Sequence, residues 1–159
     1  MSSKIDKKIG AWHTFLRAHS VVIRALERKM EEEQHLPLNW FDVLAWLSHA
    51  PDGRLRMQVL AKSIYLSNSG LTRLLNRMAA AGFIERQNCP DDRRGWYAVI
   101  TAKGRKAFER AFPGNVREIE EHFIHRFNDD EIEVLNDLLS RLIKVPAKSK
   151  ERLPANEQK

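Results

Sequence analysis

The chain holds one cysteine, Cys89, so no internal disulfide can form, and no Cys/His cluster has the spacing of a zinc site. Long apolar runs are absent too. No stretch is long enough to cross a bilayer, and the opening MSSKIDKKIG lacks the apolar core of a signal peptide. A reducing cytoplasm is therefore expected. Catalytic motifs are equally scarce: Ser, His and Asp occur, but no nucleophile elbow or metal motif organises them. The acidic clusters Glu31–Glu33 and Asp129–Glu133 read as helix-end charges. Neither an enzyme nor a bound cofactor or metal is expected.

The 159 residues suffice for one ordinary domain, or a reading lobe plus an assembly region. A formal charge of +6 and a pI near 9.7 favour a polyanionic partner without naming one.

The informative stretch is Arg56 to Ala102. Met57, Leu60, Ala61 and Ile64 are spaced like one face of a short helix. After a break at Tyr65-Leu66, Ser67 offers an N-cap hydroxyl to a second helix. That helix puts Leu71, Leu74, Leu75 and Met78 on one side, as core. Its other side carries Ser67, Asn68, Ser69, Gly70, Thr72, Arg73, Asn76 and Arg77. Gly82 should end it, because glycine accepts the left-handed conformation of a helix stop. Two helices joined by a tight turn, the second with small polar and basic residues at its front, meet the requirements of a helix-turn-helix. Small residues let the helix enter a major groove, and Arg73 and Arg77 suit phosphates or guanine.

After Gly82 the pattern alternates. Residues 83–87 read as a strand and residues 96–100 as its return partner. The turn between them, CPDDRRG, should hold Arg93 and Arg94 at a hairpin tip, where an arginine can enter a minor groove.

GLTRLLNRMAAAGFIER, then PDDRRG, then ITAKG, resembles the multiple-antibiotic-resistance regulator (MarR) family of winged helix-turn-helix repressors. The likeness in layout spans about Trp12 to Lys144 and is most specific from Ser67 to Gly104. It implies a mainly α fold with a small β-hairpin wing, and N- and C-terminal dimerisation helices. It implies a homodimer on double-stranded DNA, acting as a ligand-responsive repressor, cytoplasmic and nucleoid-associated. The DNA-contacting residues would be Ser67, Asn68, Ser69, Gly70, Thr72, Arg73, Arg77, Arg93 and Arg94. Asp92 would brace a wing arginine, since a carboxylate repels phosphate. The family often binds aromatic acids in a cleft among its first, second and fifth helices, which makes Trp12, His19 and Trp40 candidates for a small aromatic acid effector. Some members sense peroxide with a cysteine in the first helix. This chain has none there, and Cys89 reads as a passive thiol.

The remaining segments fit that layout. Residues 1–10 read as a flexible lead-in, and residues 11–36 as a first dimerisation helix with a wide apolar stripe. Residues 37–100 form the DNA-binding lobe, with Asn39 as a helix cap, a turn at Pro51-Asp52-Gly53 and a short strand at Leu55. Residues 101–145 carry C-terminal dimerisation helices: one capped by Thr101 and bent or broken near Pro113, one opened by the capping box Asn128–Glu131. Residues 146–159 read as a disordered tail. The rival reading is a protein-binding or non-specific architectural winged-helix module.

Overall fold

The computed structural model describes residues 2–64, 68–89 and 92–143, with backbone alone for residues 2–4, 68 and 92–94. Helix α1 spans Ser2–Gln34 and α2 Leu38–His49. A 3-10 turn at Pro51–Gly53 leads into strand β1, Arg54–Arg56. Helix α3 (Met57–Ser63) and helix α4 (Asn68–Ala80) follow. Strands β2 (Ile84–Cys89) and β3 (Asp92–Ile100) make the hairpin. Helix α5 runs Ala102–His122, and after a 3-10 turn at Ile124–Arg126, α6 covers Asp129–Ile143.

The sheet is antiparallel in the order β1-β3-β2, so the short strand around Leu55 does pair with the wing. Helices α2, α3, α4 and the first half of α5 close over its inner face. Val43, Leu44, Leu47, Leu60, Leu71, Leu75 and Met78 are fully buried there. Each such side chain contributes about 1.5–3 kcal/mol by leaving water, as an upper estimate. Helix α1 packs along α5, and Leu26 and Met30 are its buried residues. Helix α6 buries no residue within the chain.

Several local expectations hold. The Thr101 hydroxyl accepts from the Gly104 amide at 3.0 Å. The Asn128–Glu131 capping box is reciprocal, with both bonds at 2.9 Å. Gly82 sits at φ 76°, and the amides of Gly82 and Phe83 close back onto Ala79 and Met78, a left-handed stop to α4.

Others need correction. Residues 2–10 are helical instead of a loose lead-in. The stripe of Trp12 and Leu16 begins earlier, at Ile5 and Ile9, and the lone Gly10 costs a helix only about 1 kcal/mol. Asn39 lies inside α2: Pro37, at ψ 137°, is the cap, and its carbonyl accepts from the amides of Trp40 and Phe41. Proline has fixed φ, which suits a helix entry as well as a break. Of the two alternatives at Pro113, one long helix or two pieces, α5 takes the first and runs through the proline. The expected tail and the Ser67 cap lie outside the described residues.

Candidate nucleic-acid interface

The interface begins with how α4 is seated. Leu71, Leu74, Leu75 and Met78 recur at helical spacing and are at most 2% exposed, so one face of α4 is fixed in the core. The opposite face must then look outward. Ser69, Arg73, Asn76 and Arg77 are exposed on it, with Gly70 and Thr72 half-buried. No carboxylate occurs on α4 or β1, so their outward charge is positive. The sequence-predicted residues Ser69, Gly70, Thr72, Arg73 and Arg77 thus share one outward surface. Asn68 opens α4, and its side chain is not described; Ser67 precedes the described part.

The hairpin is longer than its periodicity suggested. Residues 88 and 89 extend β2, and β3 starts at Asp92, so Asp92, Arg93 and Arg94 belong to a strand instead of the turn. Cys89 pairs with Asp92 after a register shift at Asn88/Cys89, an irregularity that takes up residues 93–95 of β3. Pro90 and Asp91 alone separate the paired residues. The side chains of Asp92, Arg93 and Arg94 lie outside the described set, and so does the brace expected of Asp92. Cys89 is 4% exposed, in keeping with a passive thiol.

Three arginines on the sheet went unnoticed in the sequence. On β1, Arg54 and Arg56 alternate around Leu55 and flank Tyr97, their guanidinium carbons 5.1 and 5.7 Å from its ring centre. Arg56 Nε donates to the Tyr97 hydroxyl at 3.2 Å, and Arg54 donates to Gln87 Oε1 at 3.3 Å. Arg54 also lies 3.7 Å from Asp52, an exposed pair of small energetic weight. On β2, Arg86 lies over Trp96 with 4.2 Å between guanidinium carbon and ring centre, and donates to Asn76 Oδ1 of α4. The available signal was alternation. Arg-Leu-Arg around an inward leucine, and Arg86 diagonal to Trp96, put these cations beside aromatics once the register is known.

The base of the wing is tied to both neighbouring helices. The Thr101 hydroxyl lies 2.8 Å from the Gly82 carbonyl and 3.0 Å from that of Phe83. Lys103 donates to the Ala81 carbonyl at 2.7 Å, a cation at the carboxyl end of α4, and its amine sits 4.6 Å from the Phe83 ring centre.

The effector candidates lie on two helices, Trp12 and His19 on α1 and Trp40 on α2. Trp12 is 54% exposed on α1, its ring 6.1 Å from that of Phe15. His19 is exposed on the same helix. Trp40 is half-buried and meets Phe83 edge-on at 5.2 Å. A water-sized hollow between α1 and α5, lined by Met30, Glu33 and Asn115 among others, contains none of the three. An open groove of about 510 Å³ beside Phe83, Lys106 and Arg110 contains none of them either. Among the described residues two groups are pulled from their ordinary pKa values, one on α1 and one on α2. Glu33 raises Lys29 through a hydrogen bond and its charge, and desolvation raises Asp42. No helix among the described residues is long and apolar enough to cross a membrane.

A seated helix with an outward polar and basic face, and a hairpin alongside, is the geometry of a winged helix-turn-helix. The model of the MarR family matches residues 36–95, the span from the α1–α2 junction to the wing. The solved structure of AbsC, a MarR family transcriptional regulator from Streptomyces coelicolor, superposes with TM-score 0.82 at 30% identity, covering 87% of this chain and 93% of that one. The chain belongs to the MarR family. A second MarR regulator from Streptomyces coelicolor, Sco3205, solved in complex with DNA, gives TM-score 0.83 at 25% identity over 87% of this chain and 86% of that one. The transcriptional repressor YetL of Bacillus subtilis (strain 168) is 30% identical over 106 residues, 64% of this chain. The match spans 63% of the length of YetL. The mainly helical fold with a three-stranded wing is the fold of these MarR regulators.

Proposed function

We propose that this MarR-family transcriptional regulator is a homodimeric repressor whose two α4 helices read a pseudo-palindromic operator, with a wing of each subunit in the flanking minor groove. The observation that carries this reading is the two-sidedness of α4. Its leucine face is sealed in the core, while Ser69, Arg73, Asn76 and Arg77 stand exposed beside the wing. Ser67, Asn68, Ser69, Gly70 and Thr72 would approach bases, and Arg73 and Arg77 phosphates or guanine. Arg93 or Arg94 would enter the minor groove, steadied by Asp92. Phosphate neutralisation would supply much of the affinity, and α4 the selectivity.

Dimerisation is supported by apolar surface that one chain leaves bare. Ile5, Ile9, Trp12 and Leu16 on α1 are 61, 51, 54 and 42% exposed, and Val134, Leu138, Leu142 and Ile143 on α6 are 59, 49, 61 and 72% exposed. A two-fold partner covering both helices would bury them and set the spacing of the two α4 helices. A small aromatic carboxylate held near Trp12, His19 and Trp40 would release DNA if it favours a dimer with the lobes wrongly spaced, because only differential affinity shifts such an equilibrium. Such a regulator would work without a cofactor, in the cytoplasm beside the nucleoid.

Selection of bound fragments from sheared genomic DNA tests the reading, repeated with aromatic acids. Enrichment of a few fragments sharing an inverted repeat is expected. Uniform recovery of all fragments would favour the architectural or protein-binding module instead.

A further inference from the structure

We propose that Arg86 is a positioning residue that fixes the angle between α4 and the wing, so that selectivity among DNA sequences depends on the assembly Asn76–Arg86–Trp96. The inference rests on the proposed DNA reading and gives a role to the arginine that ends the stretch GLTRLLNRMAAAGFIER. Arg86 lies on β2 opposite Ala98, and Trp96 is two residues nearer the tip on β3, on the same face of the hairpin. The guanidinium lies over the indole at 4.2 Å while its rim donates to Asn76 on the outward face of α4. A planar guanidinium stacks through its face and donates through its edge at once, which an ammonium does not. One side chain therefore joins the helix and the hairpin, the two elements that would touch DNA.

The position matters mechanically. Ala98 is buried, whereas Gln87 and Asn88, one and two residues beyond Arg86, are exposed. Beyond this level Trp96 still packs against the core, with Arg86 lying over it, and Cys89 nearer the tip is also buried. Cys89, the end of β2, lies three residues beyond Arg86, an arm of about 10 Å at ~3.3 Å per residue. A 10° tilt at Arg86 would move the end of β2 by roughly 2 Å, enough to spoil hydrogen-bond geometry in a groove. Asn76 Oδ1 is occupied as the acceptor in this contact, so on this account Asn76 holds Arg86 and does not read a base.

The test measures affinity of the full chain for a selected genomic fragment and for a scrambled duplex of equal length, at one salt concentration. Wild type is compared with Arg86→Ala, Arg86→Lys, Asn76→Ala and the double variant Asn76→Ala/Arg86→Ala. Both positions are exposed, and thermal unfolding verifies that each variant folds. The expected result is a roughly tenfold fall in the selectivity ratio for each single variant, with the double variant no worse than either, as coupled residues behave. Arg86→Lys should lose selectivity while its affinity for the scrambled duplex stays within about twofold, since the charge that attracts phosphate remains. Full recovery of selectivity by Arg86→Lys would overturn the proposal in favour of a plain phosphate contact. Additive losses, about a hundredfold in the double variant, would overturn it too, because Asn76 would then read DNA independently. A wild-type chain without any preference would overturn the DNA reading itself, an outcome distinct from a selective wild type with indifferent variants.

Discussion

Replacing Gly104 with alanine should break the joint between the DNA-reading lobe and α5. In an exposed helix the same change would stabilise by about 1 kcal/mol through propensity. Here a Cβ would stand 2.1 Å from the Phe83 carbonyl oxygen, 3.0 Å from Leu44 Cδ2 and 3.1 Å from Ile100 Cγ1. The leucine and isoleucine tips can shift by tenths of an ångström; the carbonyl cannot. It accepts from the Thr101 amide at 3.1 Å and lies 3.0 Å from the Thr101 hydroxyl. Retreat from the methyl group would weaken both contacts, at about 1 kcal/mol each. Overpacking adds about 1–3 kcal/mol. Subtracting the propensity gain leaves a net loss of roughly 2–4 kcal/mol. Gly10 supplies the control, because a Cβ there meets nothing within 4 Å. Urea unfolding at fixed protein concentration reads both variants. Gly104→Ala should lower the midpoint by about 1–2 M with the slope unchanged, and Gly10→Ala should raise it slightly. A Gly104→Ala chain as stable as wild type would refute the close approach and the reasoning built on it.

Other perturbations address the remaining elements. Arg93→Ala and Arg94→Ala should weaken DNA binding, and the variant that loses a groove contact should flatten the slope of log K against log salt by about 0.9; unchanged slopes in both would remove the wing from the interface. Leu138→Glu with Leu142→Glu on α6 should convert a dimer to monomer in sedimentation equilibrium, and an intact dimer would place the partner surface elsewhere. Asp42→Asn tests a pH effect. Desolvation raises the folded-state pKa of Asp42, so the folded chain prefers the protonated form, and its relative stability falls as pH rises through that value. The variant should therefore gain stability at pH 7 and nothing at pH 3. The gain should be only a few tenths of a kcal/mol, because the side chain remains exposed to screening solvent. An equal gain at both pH values would contradict that sign.

Much of this could be read from the residues before the fold was known, and each failure has its own physical cause. The buried face of α4, the Gly82 stop, the Thr101 cap and the Asn128–Glu131 box depend on neighbours close in sequence, where spacing and side-chain type suffice. The Asn39 cap failed because Pro37 could start the helix just as well, two residues earlier. The strand ends failed because Asn88 and Cys89 pair across a register shift, which no two-residue period reveals. Arg54, Arg56 and Arg86 were invisible for a different reason: their meaning comes from aromatics brought across the sheet by register. Trp12, His19 and Trp40 came from the resemblance alone; within one chain Trp12 meets Phe15 and Trp40 meets Phe83.

Hydroxyl-radical footprinting on a fragment recovered from the genome tests the central claim most directly. If the outward face of α4 and the wing act together in a two-fold dimer, protection will fall on one side of the duplex. It will appear as two half-sites about one helical turn or a whole multiple of turns apart, each with a protected minor groove at its outer edge. A single unsymmetrical patch, or protection that leaves the outer minor grooves open, would contradict the account.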